Sequence, residues 1–136
     1  MKISAKVENS FRSHGVKLTT NGITQQLNIP AKTSGYGSAV NGGELLFLAL
    51  ATCYCNDLYR EAAKMNITLT KVSVEASGEF GQAGEPGFNI TYQAKVEGEA
   101  ADAELQKLLE HTDRMAEIQN TLRRGVEVKL VSTPSA

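Results

Sequence analysis

The sequence predicts an α+β domain: a three-stranded antiparallel sheet, one long central helix, then two strands, a helix and a last strand. Three observations carry this expectation. Residues 41–65 contain an unbroken apolar run from Leu45 to Ala51 that opens on capping residues. Asn21-Gly22 separates two alternating segments near the N-terminus, and a second alternating pair flanks Gly84 and Pro86-Gly87.

Lys2 to Val7 alternates and breaks at Asn9 and Ser10, which predicts a first strand. Val16–Thr20 and Thr24–Ile29 flank Asn21-Gly22, whose residues both tolerate positive φ, so they predict a hairpin and complete a meander. The intervening segment Asn9–Gly15, NSFRSHG, is expected to be the loop between strands one and two. It holds Arg12 and His14, and loops on a rigid sheet are frequent carriers of function. Pro30–Gly43 is rich in Gly, Ser and Thr and predicts a linker from sheet to helix.

The central helix is expected over Asn41–Met65. Asn41 as N-cap and Glu44 three residues later form an asparagine version of the capping box. From Leu45 to Ala51 no face is polar, so this half must be surrounded by protein. The run falls well short of the roughly 18 residues that a membrane span needs. Polar residues return on one side from Asn56 onward.

Asn66 predicts a left-handed terminator. Ile67–Phe80 and Phe88–Val96 predict a hairpin around the turn Gly81–Gly87. Asp102–Arg114 predicts a helix with Leu105, Leu108, Leu109 and Thr112 on its inner face, followed by a short helical turn over Ala116–Arg123. Gly125 closes that turn before a final strand, Val126–Val131.

With 136 residues, the chain is expected to form one domain over 1–136. Fourteen basic against fifteen acidic residues give a net charge of -1, which excludes the basic footprint of a nucleic-acid or anionic-membrane binder. MKISAKVENS lacks the apolar region of a signal peptide, so a cytoplasmic location is expected. There the two cysteines stay reduced, and they signify chemistry or packing rather than a disulfide framework.

Cys53 and Cys55 lie two apart on the predicted helix, so their side chains diverge by about 200° and cannot bridge without unwinding it. Around Cys55 the helix neighbours are Leu48, Ala51, Thr52, Leu58, Tyr59 and Ala62, a stripe that reads Cys55 as a small buried hydrophobe. Around Cys53 they are Leu46, Ala49, Leu50, Asn56, Asp57 and Arg60, the boundary setting in which a thiol can be reactive. Asp57 would raise its pKa and Arg60 would lower it; the sequence does not decide between them, and a structural Cys53 stays open. No CxxC, HExxH, GxSxG or phosphate loop occurs, and no metal or cofactor is expected. His111, beside Asp113 and Arg114, reads as the solvated end of a helix.

GGELLFLALATCYC after three N-terminal strands, with Glu44-Leu45-Leu46 leading after nine residues to Cys53 and NTLRRGVEVKL near the C-terminus, resembles the OsmC/Ohr family of osmotically inducible and organic hydroperoxide resistance proteins. The likeness in element order extends over nearly the whole chain. It implies an intertwined homodimer with the two long helices at its centre and active sites at the subunit interface. It also implies peroxiredoxin-like, oxidative-stress chemistry. In that chemistry a cysteine on the central helix reduces an organic hydroperoxide and becomes a sulfenic acid, and a second cysteine near the C-terminal helix resolves it. An N-terminal arginine and a glutamate at the helix start position the reactants.

Carried over by position, Cys53 is the peroxidatic thiol. Arg12, the only arginine before the helix, takes the arginine role. Glu44 stands for the glutamate, although the family position falls ten residues before Cys53, at Gly43. On a straight helix Glu44 projects about 180° away from Cys53. The resolving position falls at or near Ala116, and no cysteine occurs there. The expectation is a cytoplasmic, one-cysteine hydroperoxide reductase served by an external thiol reductant. Its partners are a second copy and a small organic hydroperoxide or other ligand, with neither nucleic acid nor membrane. The competing reading is a non-catalytic small-ligand-binding or stress-related protein of the same fold.

Overall fold

The computed structural model describes residues 1–131, which fall into two compact units, one over Met1–Leu45 and one from Leu46 onward. The first unit holds β1 (Ile3–Ser10), β2 (Ser13–Thr20) and β3 (Ile23–Gln26), antiparallel in the order β1-β2-β3. Asn21 has φ 49° and Gly22 has φ 81°. This is the double positive φ expected of their hairpin.

The predicted loop over Asn9–Gly15 is not a loop. Asn9 pairs with His14 and Ser10 with Ser13, so the strands run on to a two-residue tip, Phe11-Arg12. Arg12 takes φ 57° there, and its N–H donates to the Gly35 carbonyl at 2.6 Å. A bulky residue in the left-handed region gives no turn signal in sequence, so the shortness of this connection was invisible.

The long helix α1 runs Gly42–Lys64. Its start is the reciprocal capping box. The Glu44 N–H donates to Asn41 Oδ1 at 2.8 Å. The Asn41 N–H donates in return to Glu44 Oε1 at 3.0 Å. The helix ends in a Schellman motif, with a left-handed residue closing two backbone bonds. Asn66 supplies the turn at φ 55°. The Ile67 N–H reaches the Ala62 carbonyl at 2.9 Å and the Asn66 N–H reaches the Ala63 carbonyl at 3.3 Å.

In the second unit β4 (Leu69–Glu79) pairs antiparallel with β5 (Phe88–Gly98), matching Val72 with Val96, Val74 with Ala94 and Ala76 with Tyr92. Two helices follow, α2 (Asp102–Met115) and α3 (Glu117–Arg124), the latter closed by Gly125 at φ 64°. The core joins Tyr54, Leu58 and Ala62 of α1 to Ile67, Leu108 and Ala116, with the inward residues of β4 and β5 packed against them. Tyr54, Leu58 and Ala62 recur every four residues, so α1 gives one stripe to this core.

One further expectation is corrected, that of the final strand, and the enclosure of the apolar run is incomplete among the described residues. Within Leu45–Ala51 only Leu50 is buried, at 2% exposure, whereas Leu48 remains 56% exposed. Phe47 packs against Phe80 with ring centroids 6.0 Å apart, and Leu45, Leu46, Ala49 and Ala51 are half-buried, so among the described residues it is the Leu48 side of the run that is left open. The final strand over Val126–Val131 is not formed: these residues lack regular structure, and Val128 and Leu130 stand almost fully exposed. A strand exists only by pairing with another. None of the described strands of this chain pairs with that segment.

Leu108 has no exposed surface and lies among α1, β4 and β5 residues. Leu108→Ala is expected to lower the unfolding free energy by about 2–5 kcal/mol, read from the urea midpoint.

Candidate functional site

Cys53 sits where α1 meets the first turn of α3. Its thiol donates to Oδ2 of Asp57, one turn along α1, at 3.4 Å, and lies 3.8 Å from Oε2 of Glu117, the first residue of α3. Helical spacing fixes the first contact, since residues four apart share a face. Packing fixes the second: Ala116 is fully buried, and the Gln119 side-chain amide donates to the Leu50 carbonyl at 3.0 Å. The far end of α3 is held by Arg123, whose guanidinium lies 2.6 Å from Oδ1 of Asp113 and donates to the Asp113 carbonyl at 3.1 Å. The Tyr92 hydroxyl donates to the same Asp113 carboxylate. α3 is thus tied to α1 at one end and to α2 and β5 at the other.

Arg60 is the cation of the site, and it faces the carboxylates rather than the sulfur. Its Nη1 lies 2.9 Å from Asp57 Oδ1 and 2.9 Å from Glu117 Oε1, while Nε is 2.7 Å from Glu61 Oε2. Each of Asp57 and Glu117 therefore turns one oxygen to Arg60 and the other toward Cys53. The contest between Asp57 and Arg60 over the thiol goes to the carboxylates. Burial first, then the Asp57 hydrogen bond and the Asp57 and Glu117 charges, push the Cys53 thiol above its ordinary range; only the Ile118 backbone N–H opposes them. Asp57, itself buried, is also pushed up, chiefly by desolvation and then by Glu117. Glu117 is held low, first by its own backbone N–H at the helix start and then by its side-chain partners.

The sulfur and one oxygen from each of Asp57 and Glu117 lie within 4.8 Å of one another, among the described residues the one His/Cys/Asp/Glu group close enough to hold a metal ion. A thiolate with two carboxylates suits a divalent ion of borderline softness. Arg60 already neutralises the outer oxygens of both carboxylates.

Beneath this cluster Glu61 is buried, with Oε1 2.9 Å from His111 Nε2 and Oε2 3.0 Å from Lys64 Nζ in addition to Arg60. His111 is therefore not a free solvated helix end: it ties α2 to α1. Arg60 first, then His111 and Lys64, hold the Glu61 carboxyl down at about 2.

A model of the family described as OsmC-like protein matches residues 35–131. The chain belongs to the OsmC-like protein family. Its fold agrees with solved members at low identity. An OsmC-like protein of unknown function from Vibrio cholerae aligns with TM-score 0.63 and 15% identity over 89% of this chain and 93% of that one. An organic hydroperoxide resistance protein OsmC from Legionella pneumophila gives 0.59 and 22% over 95% and 94%. The organic hydroperoxide resistance protein OhrB of Bacillus subtilis gives 0.55 and 19% over 95% and 96%. No curated protein matches the sequence significantly.

Of the site residues expected for this OsmC-like chain, the structure surrounds Cys53 with Asp57, Arg60 and Glu117. Arg12 and Glu44 belong to the Met1–Leu45 unit. Arg12 lies at the hairpin tip with its guanidinium 5.2 Å from the Phe11 ring centre, and the Glu44 carboxylate is engaged by the Asn41 N–H. Cys55 is half-buried rather than core, on a face where Leu48 and Tyr59 stay exposed. Glu117 escaped the sequence reading. Its one available signal was adjacency to Ala116, where the resemblance places a second thiol.

The Glu61 cluster gives a pH signature with a definite sign. A carboxyl held at about 2 against an ordinary 4.5 contributes stability that is complete above the unfolded-state value and is lost as pH falls through the folded-state one. Glu61→Gln is expected to lower the Tm at neutral pH, with the gap from wild type closing between about pH 4.5 and about pH 2 in circular-dichroism melts.

Proposed function

We propose that this OsmC-like protein is a one-cysteine hydroperoxide reductase, in which Cys53 reduces small organic hydroperoxides and an external dithiol restores it. The observation that carries the reading is the placement of Cys53: a half-buried thiol at the first turn of α3, hydrogen-bonded to a buried carboxylate. The structural likeness to proteins described as organic hydroperoxide resistance proteins supports the same chemistry.

The thiolate attacks one peroxide oxygen, the O–O bond breaks, and the alkoxide leaves and takes up a proton to become the alcohol. Cys53 is left as a sulfenic acid. No second cysteine occupies the sequence around Ala116, so one thiol of the reductant displaces water from the sulfenic acid, and its second thiol then closes a disulfide and frees Cys53. This cycle belongs in a reducing compartment, in keeping with a cytoplasmic location. Arg12 is proposed as the cation that offsets the carboxylates around the thiolate. Glu44 is proposed to act on the positioning of Arg12 in addition to its capping role.

The working unit is proposed to be a homodimer. A second copy would cover the apolar face of α1 that bears Leu48, Cys55 and Tyr59 and give the Val126–Val131 segment an edge to pair with. Fully burying a leucine side chain is worth about 1.5–3 kcal/mol, and covering Leu48 would recover the part of that which its exposed surface forgoes. Among the described residues no helix is long and apolar enough to cross a membrane.

A second reading, a small-ligand-binding protein of the same fold, is favoured by one observation: the thiol is pushed up, not down, by its surroundings in the single chain.

Cys53→Ser is expected to abolish consumption of t-butyl hydroperoxide in the presence of dithiol, while Cys55→Ser retains it. Equal rates for Cys53→Ser and wild type would exclude the enzyme reading and leave the ligand-binding one. Light scattering on the purified protein is expected to give about twice the 14.6 kDa chain mass; a monomer at micromolar concentration would refute the dimer.

A further inference from the structure

We propose that Cys53, Asp57 and Glu117 form a three-ligand site for a borderline divalent ion of the zinc class, and that the bound ion withholds the Cys53 sulfur from peroxide. Withholding the sulfur rests on the hydroperoxide reading; binding the ion does not.

The donor atoms are spaced as on a tetrahedral ion. With metal–sulfur and metal–oxygen bonds of about 2.3 Å and about 2.0–2.2 Å, sulfur and oxygen on neighbouring corners stand about 3.5 Å apart. Cys53 Sγ lies 3.4 Å from Asp57 Oδ2 and 3.8 Å from Glu117 Oε2, and the three atoms all fall within 4.8 Å of one another. Two come from α1 and the third from the first residue of α3, so helix packing sets the spacing. The Glu117 side chain, 62% exposed, gives the ion a way in from solvent. Neither CxxC nor HExxH spacing announces such a site, because Glu117 lies 64 residues from Cys53.

Arg60 does not compete for these atoms. It takes Oδ1 of Asp57 and Oε1 of Glu117, each at 2.9 Å, and so turns the other oxygen of each carboxylate toward the sulfur. A partner that holds a ligand from behind fixes which of its atoms faces the metal. A thiolate, Asp57 and Glu117 set three negative charges against this one guanidinium, while Glu61, which shares it, has Lys64 and His111 as well. A divalent ion supplies the positive charge that is missing.

Two buried oxygens at the α1–α3 contact point to a ligand independently of the spacing. Asp57 is 6% exposed, and the partner of its Oδ2 is the thiol, a weak donor; beside a thiolate that oxygen is buried with no partner. Gln119 is 3% exposed, and its Oε1 has no hydrogen-bond partner, although its amide nitrogen is held by the carbonyl of Leu50, three residues before Cys53. Buried oxygens without donors are rare, and an ion or the water it carries is what satisfies them.

The sulfur selects against magnesium and calcium, which take oxygen ligands, and for an ion of intermediate softness. As the metal–sulfur bond forms, the thiol proton leaves to solvent. The lone pair that attacks a peroxide is then held in that bond, so loss of the ion exposes the nucleophile.

The test uses the reduced chain, freed of thiol reductant, with cobalt(II) chloride alone as the probe. Wild type is expected to bind one ion per chain with an intense near-ultraviolet thiolate-to-cobalt band, which zinc chloride bleaches by displacement. Cys55→Ser is expected to keep the band and Cys53→Ser to lose it. Glu117→Gln, on an exposed side chain, is expected to melt as wild type does and to weaken cobalt binding by about 10-fold or more, the scale on which even an outer-shell partner acts. For the reactivity of the sulfur, one equivalent of t-butyl hydroperoxide is added without reductant, and the sulfenic acid is trapped with dimedone and measured by mass spectrometry. One equivalent of zinc is expected to suppress the adduct and EDTA to restore it.

The site is overturned if wild type shows no thiolate–cobalt band, if Cys53→Ser keeps it, or if Glu117→Gln binds cobalt as tightly as wild type. An adduct that forms as fast with zinc bound overturns the withholding of the sulfur. A protein that binds cobalt through Cys53 and Glu117 yet forms no adduct, with or without zinc, overturns the hydroperoxide reading and leaves the metal site standing.

Discussion

One guanidinium holds the site together. Arg60 sits among Asp57, Glu61 and Glu117, and without it three carboxylates from α1 and α3 would face one another across a partly dry gap. Removing that cation leaves the buried Asp57 without a cationic partner, which costs far more than a surface ion pair is worth, while Glu61 keeps Lys64 and His111. Asp57 and Glu61 lie four apart on α1 and Arg60 between them, so the helix alone assembles three members; only Glu117 must be brought from elsewhere. The docking of α3 therefore decides whether a site exists.

That docking has three supports of different kinds. Ala116 is small enough to disappear into the core at the α2–α3 corner, which draws the start of α3 against α1. The Gln119 amide then donates to the Leu50 carbonyl, a contact that no apolar side chain could make. At the other end Arg123 and Tyr92 converge on Asp113, tying α3 and β5 to the end of α2. Tyr92 also packs edge-on to Tyr54 at 4.7 Å between centroids, and the Tyr54 hydroxyl donates to the Leu109 carbonyl. Strand, helix and site thus share a continuous set of contacts within the second unit, and Cys53 lies at its α1–α3 end.

Most elements were legible in the sequence because their signals are local. Asn21-Gly22, the Asn41–Glu44 box, Asn66 and Gly125 each specify backbone geometry within a turn, and each is found doing so. The misses share a different origin. The Phe11-Arg12 turn depends on a positive φ at Arg12 that no composition rule anticipates. Val126–Val131 has the pattern of a strand, but pattern specifies only a capacity to pair, and the partner edge is not in this chain's described sheets. The same holds for the Leu48 side of α1, whose cover the sequence demanded without being able to name. At the site, Asp57 and Arg60 were visible by helical spacing, whereas Glu117, 64 residues from Cys53, was not.

The electrostatics of the site set one requirement. Within one chain the sulfur meets two carboxylates and one opposing amide, and the local cation is consumed by the carboxylates, so a thiolate there lacks a compensating charge. A reactive Cys53 therefore needs positive charge from beyond the α1–α3 contact. The position at which the resemblance implies a second thiol is the buried Ala116, followed by the charged Glu117. An oxidised Cys53 would consequently face carboxylates and not a resolving sulfur.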